Sequence, residues 1–302
     1  MPATPDFERI VFQCSGMLAP LSYQRIYEAA LRSTGDLIVE VGTYKGAATV
    51  SLALGLRDAG KAGRVISFDR GRSRYDGIGD DAYLRMVKQN LRLFGVEDFV
   101  ELILGEIPEN ASAVSEDARI SLLMLDADGC IDRDIALFFN RVVPGGGIII
   151  DDCDDRVRLR RTGFSNFRID SKTRLAYLLL SYFKSRGLIS EGTQIKETYF
   201  GEKLRGLPDD KLDLNEILEI YRQLIFTSAR MSPLDTARST AVQLLAKFSP
   251  AFLQHLRVLY RRMSLKILGS CTAKSVQLAS CEVSGGCPLG SGRGSWMSLK
   301  IG

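Results

Sequence analysis

The chain has 302 residues, 45% of them hydrophobic and 25% charged, with a formal net charge of +4. That is an ordinary globular composition with ample core, long enough for one large domain or for one domain with an appendage. From Thr236 onward nine Lys or Arg face a single acid, Glu282, so the part before it is net acidic. This excludes a nucleic-acid-sized basic footprint on the main domain, and no nucleic-acid partner is expected.

At the start of the chain, "MPATPDFERIVFQ" carries Asp6 and Glu8 and lacks the basic-then-apolar order of a signal peptide. "LSYQRIYEAALRS" has the spacing of an amphipathic helix, and "GDLIVEVG" is a short β-branched strand that stops at glycine. "AATVSLALGLRDAG" predicts a helix closed by Gly60, and "RVISFD" a strand ending on Asp69. A helix over "DDAYLRMVKQNLRLFG" ends at Gly95, and "DFVELILG" is the next strand. "RISLLMLD", "DIALFFNRVV" and "GGIIIDD" then read as strand, helix and strand. Alternating helices and near-continuous apolar strands predict an α/β fold whose parallel sheet is covered on both faces.

In such sheets ligands bind at the carboxyl ends of the strands. Glu40, Asp69, Asp126, Asp151 and Asp152 all close strands, so they are expected along one edge of the sheet. In "VEVGTYKGAAT", Glu40 precedes Gly42, Thr43 and Gly46 at a strand-to-helix turn. Glycines there let a backbone approach a ligand, and the helix start offers unpaired N–H groups. The spacing is not the G-x-G-x-x-G of dinucleotide folds, and by itself the turn also suits mere packing. Asp69, at the end of the next strand, is placed to accept the hydroxyls of a ribose. Gly105 and Glu106 in "LGEIPEN" are placed to border an adenine.

Glu40, Gly42, Asp69 and the aspartate closing the fourth strand resemble the class I S-adenosylmethionine-dependent methyltransferases. The resemblance runs from about Leu21 to about Lys203, and "GTQIKETYFGEKL" is similar to the closing hairpin of that fold. It implies a Rossmann-like parallel sheet with a closing antiparallel strand, and S-adenosylmethionine as cofactor. More narrowly, "LDADGCIDRDIALFFNRVVPGGGIIIDD" resembles the metal-dependent O-methyltransferases of the catechol and macrocin types. What that implies is a Mg2+ held by Asp126, Asp151 and Asp152, with Asp126 serving both the cofactor and the chemistry. Three packed carboxylates suit a hard cation, and without one they would repel each other.

One position departs from the resemblance. The catechol type carries lysine three residues after the first aspartate, where this chain has Gly129. Asp128 and Asp132 remain as candidate bases, and each is also placed to cap the following helix, the preferred reading for Asp132. His255 lies outside the resembling region and reads as a surface or packing residue. Tyr44 and Lys45 are placed to pack over the cofactor. Arg70, Arg72 and Arg74 read as a solvated loop, with an anion contact as the other reading. Arg156, Arg158, Arg160 and Arg161 follow the fifth strand, where this fold admits its acceptor, and suit an anionic substrate or a closing lid.

The domain is expected over 1–205, a helical appendage over 206–268 joined by "GLPDDK", and a disordered Gly/Ser-rich tail over 269–302. A basic amphipathic helix holding Phe252, Leu256, Leu259 and Met263 reads as core or as a contact in a homo-oligomer, with a membrane surface as the lesser reading. No apolar run approaches ~18 residues, so no membrane span is expected. The six cysteines show no CxxC; Cys14, Cys130 and Cys153 are expected to be reduced thiols, and the location cytoplasmic. The leading function is O-methylation of a small hydroxylated acceptor (a sugar, a polyketide or a catechol-like molecule). A catalytically inactive cofactor-binding protein of the same fold is the alternative, suggested by Gly129. A nicotinamide oxidoreductase comes third, because the glycine spacing is wrong for it and no Tyr-x-x-x-Lys pair appears in the expected region.

Overall fold

Five apolar runs become five parallel strands: β1 (Leu37–Val41), β2 (Arg64–Asp69), β3 (Val100–Leu104), β4 (Ile120–Leu125) and β5 (Val142–Ile150). The computed structural model describes residues 4–35, 37–71, 80–161 and 167–226, with single positions at 237, 241, 244 and 252. The helices expected beyond residue 226, His255, Arg72, Arg74 and the cysteines of the tail lie outside the described residues or, for the helices, almost wholly so. Beyond β5, β6 (Arg158–Arg161) and β7 (Phe167–Asp170) form their own two-stranded antiparallel sheet. β8 (Thr193–Ile195) and β9 (Thr198–Glu202) complete the main sheet.

The main sheet runs β3-β2-β1-β4-β5-β9-β8, parallel through β5 and antiparallel at β9 and β8. This is the Rossmann-like sheet with its closing antiparallel strands. β1 and β4 are neighbours at the point where the strand order reverses, so the crevice of the fold opens beyond their carboxyl ends. Every residue of β4 is buried, including Ser121, whose hydroxyl donates to the Leu37 carbonyl at 2.9 Å.

Helices cover both faces. α1 (Phe7–Gln13) starts where the Asp6 carboxylate accepts the Arg9 N–H at 3.0 Å. α2 (Pro20–Arg32) buries Tyr23, Ile26, Tyr27 and Ala30, one stripe at helical spacing. It lies on α3 (Ala47–Asp58), which is buried continuously from Ala47 to Leu56. Gly55 makes that contact close: a Cβ there would stand 2.6 Å from both the Ala30 Cβ and the Tyr27 carbonyl oxygen. α4 (Asp80–Leu93) completes this face and stops at Gly95, whose φ is +63°.

The other face carries the one-turn α5 (Ile107–Asn110), α6 (Ile131–Phe138), α7 (Lys172–Ser185) and α8 (Leu214–Phe226). Ile135, Phe138, Leu179 and Phe183 pack with β4 and β5 in one core. Each such side chain contributes roughly 1.5–3 kcal/mol by leaving water. α7 is additional to the expected elements. At α8, the described start of the segment expected as an appendage, Ile217 and Ile220 share that same core. Among the described residues no helix is long and apolar enough to cross a membrane.

Candidate active site

The sheet ladder continues one step past each strand and sets the candidate residues level with one another. Gly42 N–H donates to the Phe68 carbonyl at 2.8 Å, Asp126 N–H to Val41 at 2.8 Å, Asp151 N–H to Leu125 at 3.0 Å, and Gly105 N–H to Asp69 at 2.9 Å. The acids at the strand ends therefore share one edge, as the alternation of elements implied.

On the β1 side the groups largely satisfy each other. Glu40 is fully buried, and its Oε2 accepts the Thr49 hydroxyl at 2.7 Å and the Ser67 hydroxyl at 2.5 Å. Thr43 joins the chain through a 2.5 Å contact between its hydroxyl and that of Ser67. Burial pushes the Glu40 carboxyl up to about 7, although the two hydroxyls oppose the shift. Its Oε1 is buried without a hydrogen-bond partner.

Asp69 turns out to be a tie between loops. Its Oδ2 accepts the N–H groups of Thr43 and Tyr44, each at 3.0 Å, and its Oδ1 accepts Gly71 N–H at 2.9 Å. Its carboxylate already serves three backbone donors, with room on Oδ1 for one more. Gly42 likewise has a structural duty: with φ at +100°, a Cβ would lie 2.2 Å from the Asp126 carbonyl oxygen. The close approach made by this glycine is to the end of β4. Gly46, at φ +83°, forms the N-cap of α3, where a Cβ would meet only the Val87 Cγ1 at 3.4 Å. Gly105 faces the Asn110 amide, 2.7 Å from where a Cβ would stand. Tyr44 takes a left-handed φ of 47°, and the Lys45 ammonium lies 5.5 Å from its ring centre.

On the β4–β5 side the balance is electrostatic. One carboxylate oxygen from each of Asp126, Asp151 and Asp152 lies within 4.8 Å of the others. Thr198 on β9 donates its hydroxyl to Asp151 Oδ1 at 2.6 Å. Burial raises the Asp126 carboxyl well above the usual range, and Asp151 and Asp152 add to it. Burial, then Asp152, lifts Asp151 to about 6. The compensating charge comes from Lys172 on α7, whose Nζ lies 2.6 Å from Asp152 Oδ2 and 3.3 Å from Asp126 Oδ1. Burial alone would lower that ammonium, but Asp126 and Asp152 hold it above the ordinary lysine value. Cys153 follows directly, wholly buried, with burial raising its thiol.

Residues 39–153, from β1 to just beyond β5, match the model described as a methyltransferase domain. Over that stretch the chain is similar to the methyltransferase domain family. No curated protein matches the sequence. Solved structures agree with the fold. The O-methyltransferase TomG from Streptomyces achromogenes, involved in tomaymycin synthesis and solved with S-adenosylmethionine, is 13% identical with a TM-score of 0.50. That match covers 67% of this chain and 91% of the other. An O-methyltransferase from Bacillus cereus, solved with S-adenosylhomocysteine, is 15% identical at the same TM-score of 0.50, covering 67% of this chain and 93% of its own.

Within the matched stretch the donor sets have their own chemistry. The unpartnered Glu40 oxygen beside the β1 turn suits a ligand with a hydrogen-bond donor, and the carboxylate trio offers the all-oxygen set a hard divalent cation takes. Asp128 is drawn away from proton transfer. Burial would raise its carboxyl, but Arg133, at 3.1 Å, and Arg70, also at 3.1 Å, hold it below the usual carboxylate range. It also accepts the Cys130 N–H at 3.2 Å, but the N-cap of α6 is Cys130 with no side-chain capping bond, so neither Asp128 nor Asp132 caps that helix. Asp132 lies inside the first turn of α6 and accepts the Tyr221 hydroxyl at 3.2 Å.

Arg70 pairs with Glu106 at 3.1 Å as well, an exposed loop arginine between two acids of the crevice edge. Arg156 pairs with Asp154 and Glu197. Arg158, Arg160 and Arg161 lie on β6, and their side chains are outside the described residues. Lys172 was the functional residue that sequence reasoning passed over. A signal was available: a lysine on the first position of an amphipathic helix, with no acid in the first turn.

Proposed function

We propose that the protein O-methylates a small hydroxylated molecule, with S-adenosylmethionine bound at the β1–β2 end of the crevice and a divalent cation at the β4–β5 end. What carries the reading is the meeting of Asp126, Asp151 and Asp152 at the sheet edge of a methyltransferase domain, beside the β1 turn. Glu40, Gly42, Thr43, Gly46, Asp69, Gly105 and Glu106 are the cofactor side of the proposal, with Glu40 and Asp69 acting mainly by fixing the loops around it. Asp126 joins the two ends, since its backbone abuts Gly42 while its carboxylate belongs to the trio.

Bound together, the cofactor supplies a sulfonium methyl and the cation acidifies a nearby hydroxyl. The chain's own part is to bring the two reactants to one edge and hold them there, which is where most of the rate in such transfers arises. Mg2+ is the favoured cation because the set is all oxygen. Asp128 is tied to two arginines, so solvent or Asp126 takes the acceptor's proton.

The test is to incubate the full-length protein with labelled S-adenosylmethionine and a panel of catechols, sugars and polyketide phenols. Labelled product, abolished by chelator and restored by Mg2+, is the expected result. Tight cofactor binding with no transfer to any hydroxyl would instead favour the inactive, cofactor-binding reading, which the commitment of Asp128 supports.

A further inference from the structure

Lys172 stands where helix physics disfavours a cation. It is the first residue of α7, its first turn holds no acid, and Ser171 at the N-cap makes no side-chain capping bond. Helix N-termini carry partial positive charge and repel an ammonium. The side chain nevertheless reaches across to Asp152 and Asp126. Gly129 clears its path: a Cβ there would lie 2.7 Å from the Lys172 carbonyl oxygen and 2.9 Å from its Cγ. A side chain at 129 and the start of α7 cannot share that space.

We propose that Lys172 is a tethered cation that competes with the metal, partly offsetting the charge of the trio in the metal-free protein and withdrawing when a divalent ion binds. The inference rests on reading Asp126, Asp151 and Asp152 as one cation site. An ion ligated by these carboxylates at about 2.1 Å would share Asp126 and Asp152 with Lys172, bringing two positive charges close together. Withdrawal is open to it, because the lysine side chain is 22% exposed and its stem is flexible. Three consequences follow. The metal-free fold tolerates chelator, the metal binds more weakly than three carboxylates alone would dictate, and the amine becomes accessible when the metal is bound.

Calorimetric titration of the full-length protein and of Lys172→Met with Mg2+ tests this, alongside acylation of Lys172 in the parent, followed by peptide mass spectrometry. The variant is expected to bind Mg2+ at least about tenfold more tightly and to lose melting temperature in chelator, since removing one partner strands buried charges. In the parent, Mg2+ is expected to speed acylation of Lys172. Equal or weaker Mg2+ binding by the variant, with the parent binding normally, overturns the competition and leaves the metal site standing. If neither protein binds Mg2+, the metal reading falls and takes the competition with it. Should Lys172→Met fail to fold, acylation decides: a Lys172 equally protected with and without saturating Mg2+ overturns the inference.

Discussion

The two ends of the crevice are built on opposite terms. At the β1–β2 end, polar groups close on each other: hydroxyls on Glu40 and backbone N–H groups on Asp69. At the β4–β5 end, three carboxylates are gathered and met by one ammonium from a distant helix. The first end is fixed by hydrogen bonds from its own backbone and hydroxyl groups. The second is held by charge, so its state depends on which cation is present. Like charges brought together in a buried place are a stored cost that a bound ion relieves.

The largest effect expected on this contrast is a break at its hinge, Gly42. Gly42→Val should cost on the order of 4 kcal/mol or more, because both the left-handed backbone and the Asp126 carbonyl reject a side chain. Urea unfolding checks this, and a stable variant that merely fails to bind cofactor would show that the glycine serves the ligand alone.

Next comes Glu40, whose buried carboxyl titrates at about 7 against an ordinary 4.5. The folded chain therefore holds the proton more tightly than the unfolded one, and stability falls as pH rises from 4.5 to 7. The contribution lost is on the order of 3 kcal/mol. Glu40→Gln should flatten that fall, which paired urea titrations at low and neutral pH would reveal. The difference between the two proteins separates Glu40 from Asp151, which titrates at about 6.

At the charged end, Asp151→Asn keeps an acceptor for Thr198 and removes one negative charge from the trio. It should weaken Mg2+ binding by at least about tenfold while raising the melting temperature of the metal-free protein at neutral pH. A variant that melts lower in chelator would mean that the trio is not under repulsion. The smallest effect is a control away from both ends. Gly60 has φ at +66° with nothing near its missing Cβ, so Gly60→Ala should cost only about 1 kcal/mol. Comparable losses at Gly42 and Gly60 would reduce the first to backbone conformation alone.

The sheet was legible because parallel strands buried on both faces must be mostly apolar, as β1 and β4 are apart from Glu40 and Ser121. The edge carrying Glu40, Asp69, Asp126, Asp151 and Asp152 followed from that topology. What the residues then touch did not. Asp69 is tied to N–H groups on a turn 26 residues earlier, and strand-end spacing alone suggested a ribose. Gly42 reads as a ligand glycine, and nothing in its spacing announces that the Asp126 carbonyl also lies beside it. α7 carries a plain stripe of Leu175, Leu179, Leu180 and Phe183, so its helix could have been read from the sequence. The reach of Lys172 could not, since it crosses a hairpin whose length says nothing about where the chain returns.

Cys153 offers a clock for the charged end. Its thiol is wholly shielded, sits one residue past the trio and has its ionisation suppressed by burial. An alkylating reagent can modify it only after the end of β5 parts from its surroundings, so labelling counts opening events without any engineered probe. Cys14, equally shielded beneath α1 and α2 with its thiol at about 12, keeps time for the opposite face of the sheet. The two rates, read from one digest, would say whether the crevice breathes alone or only when the whole sheet comes apart.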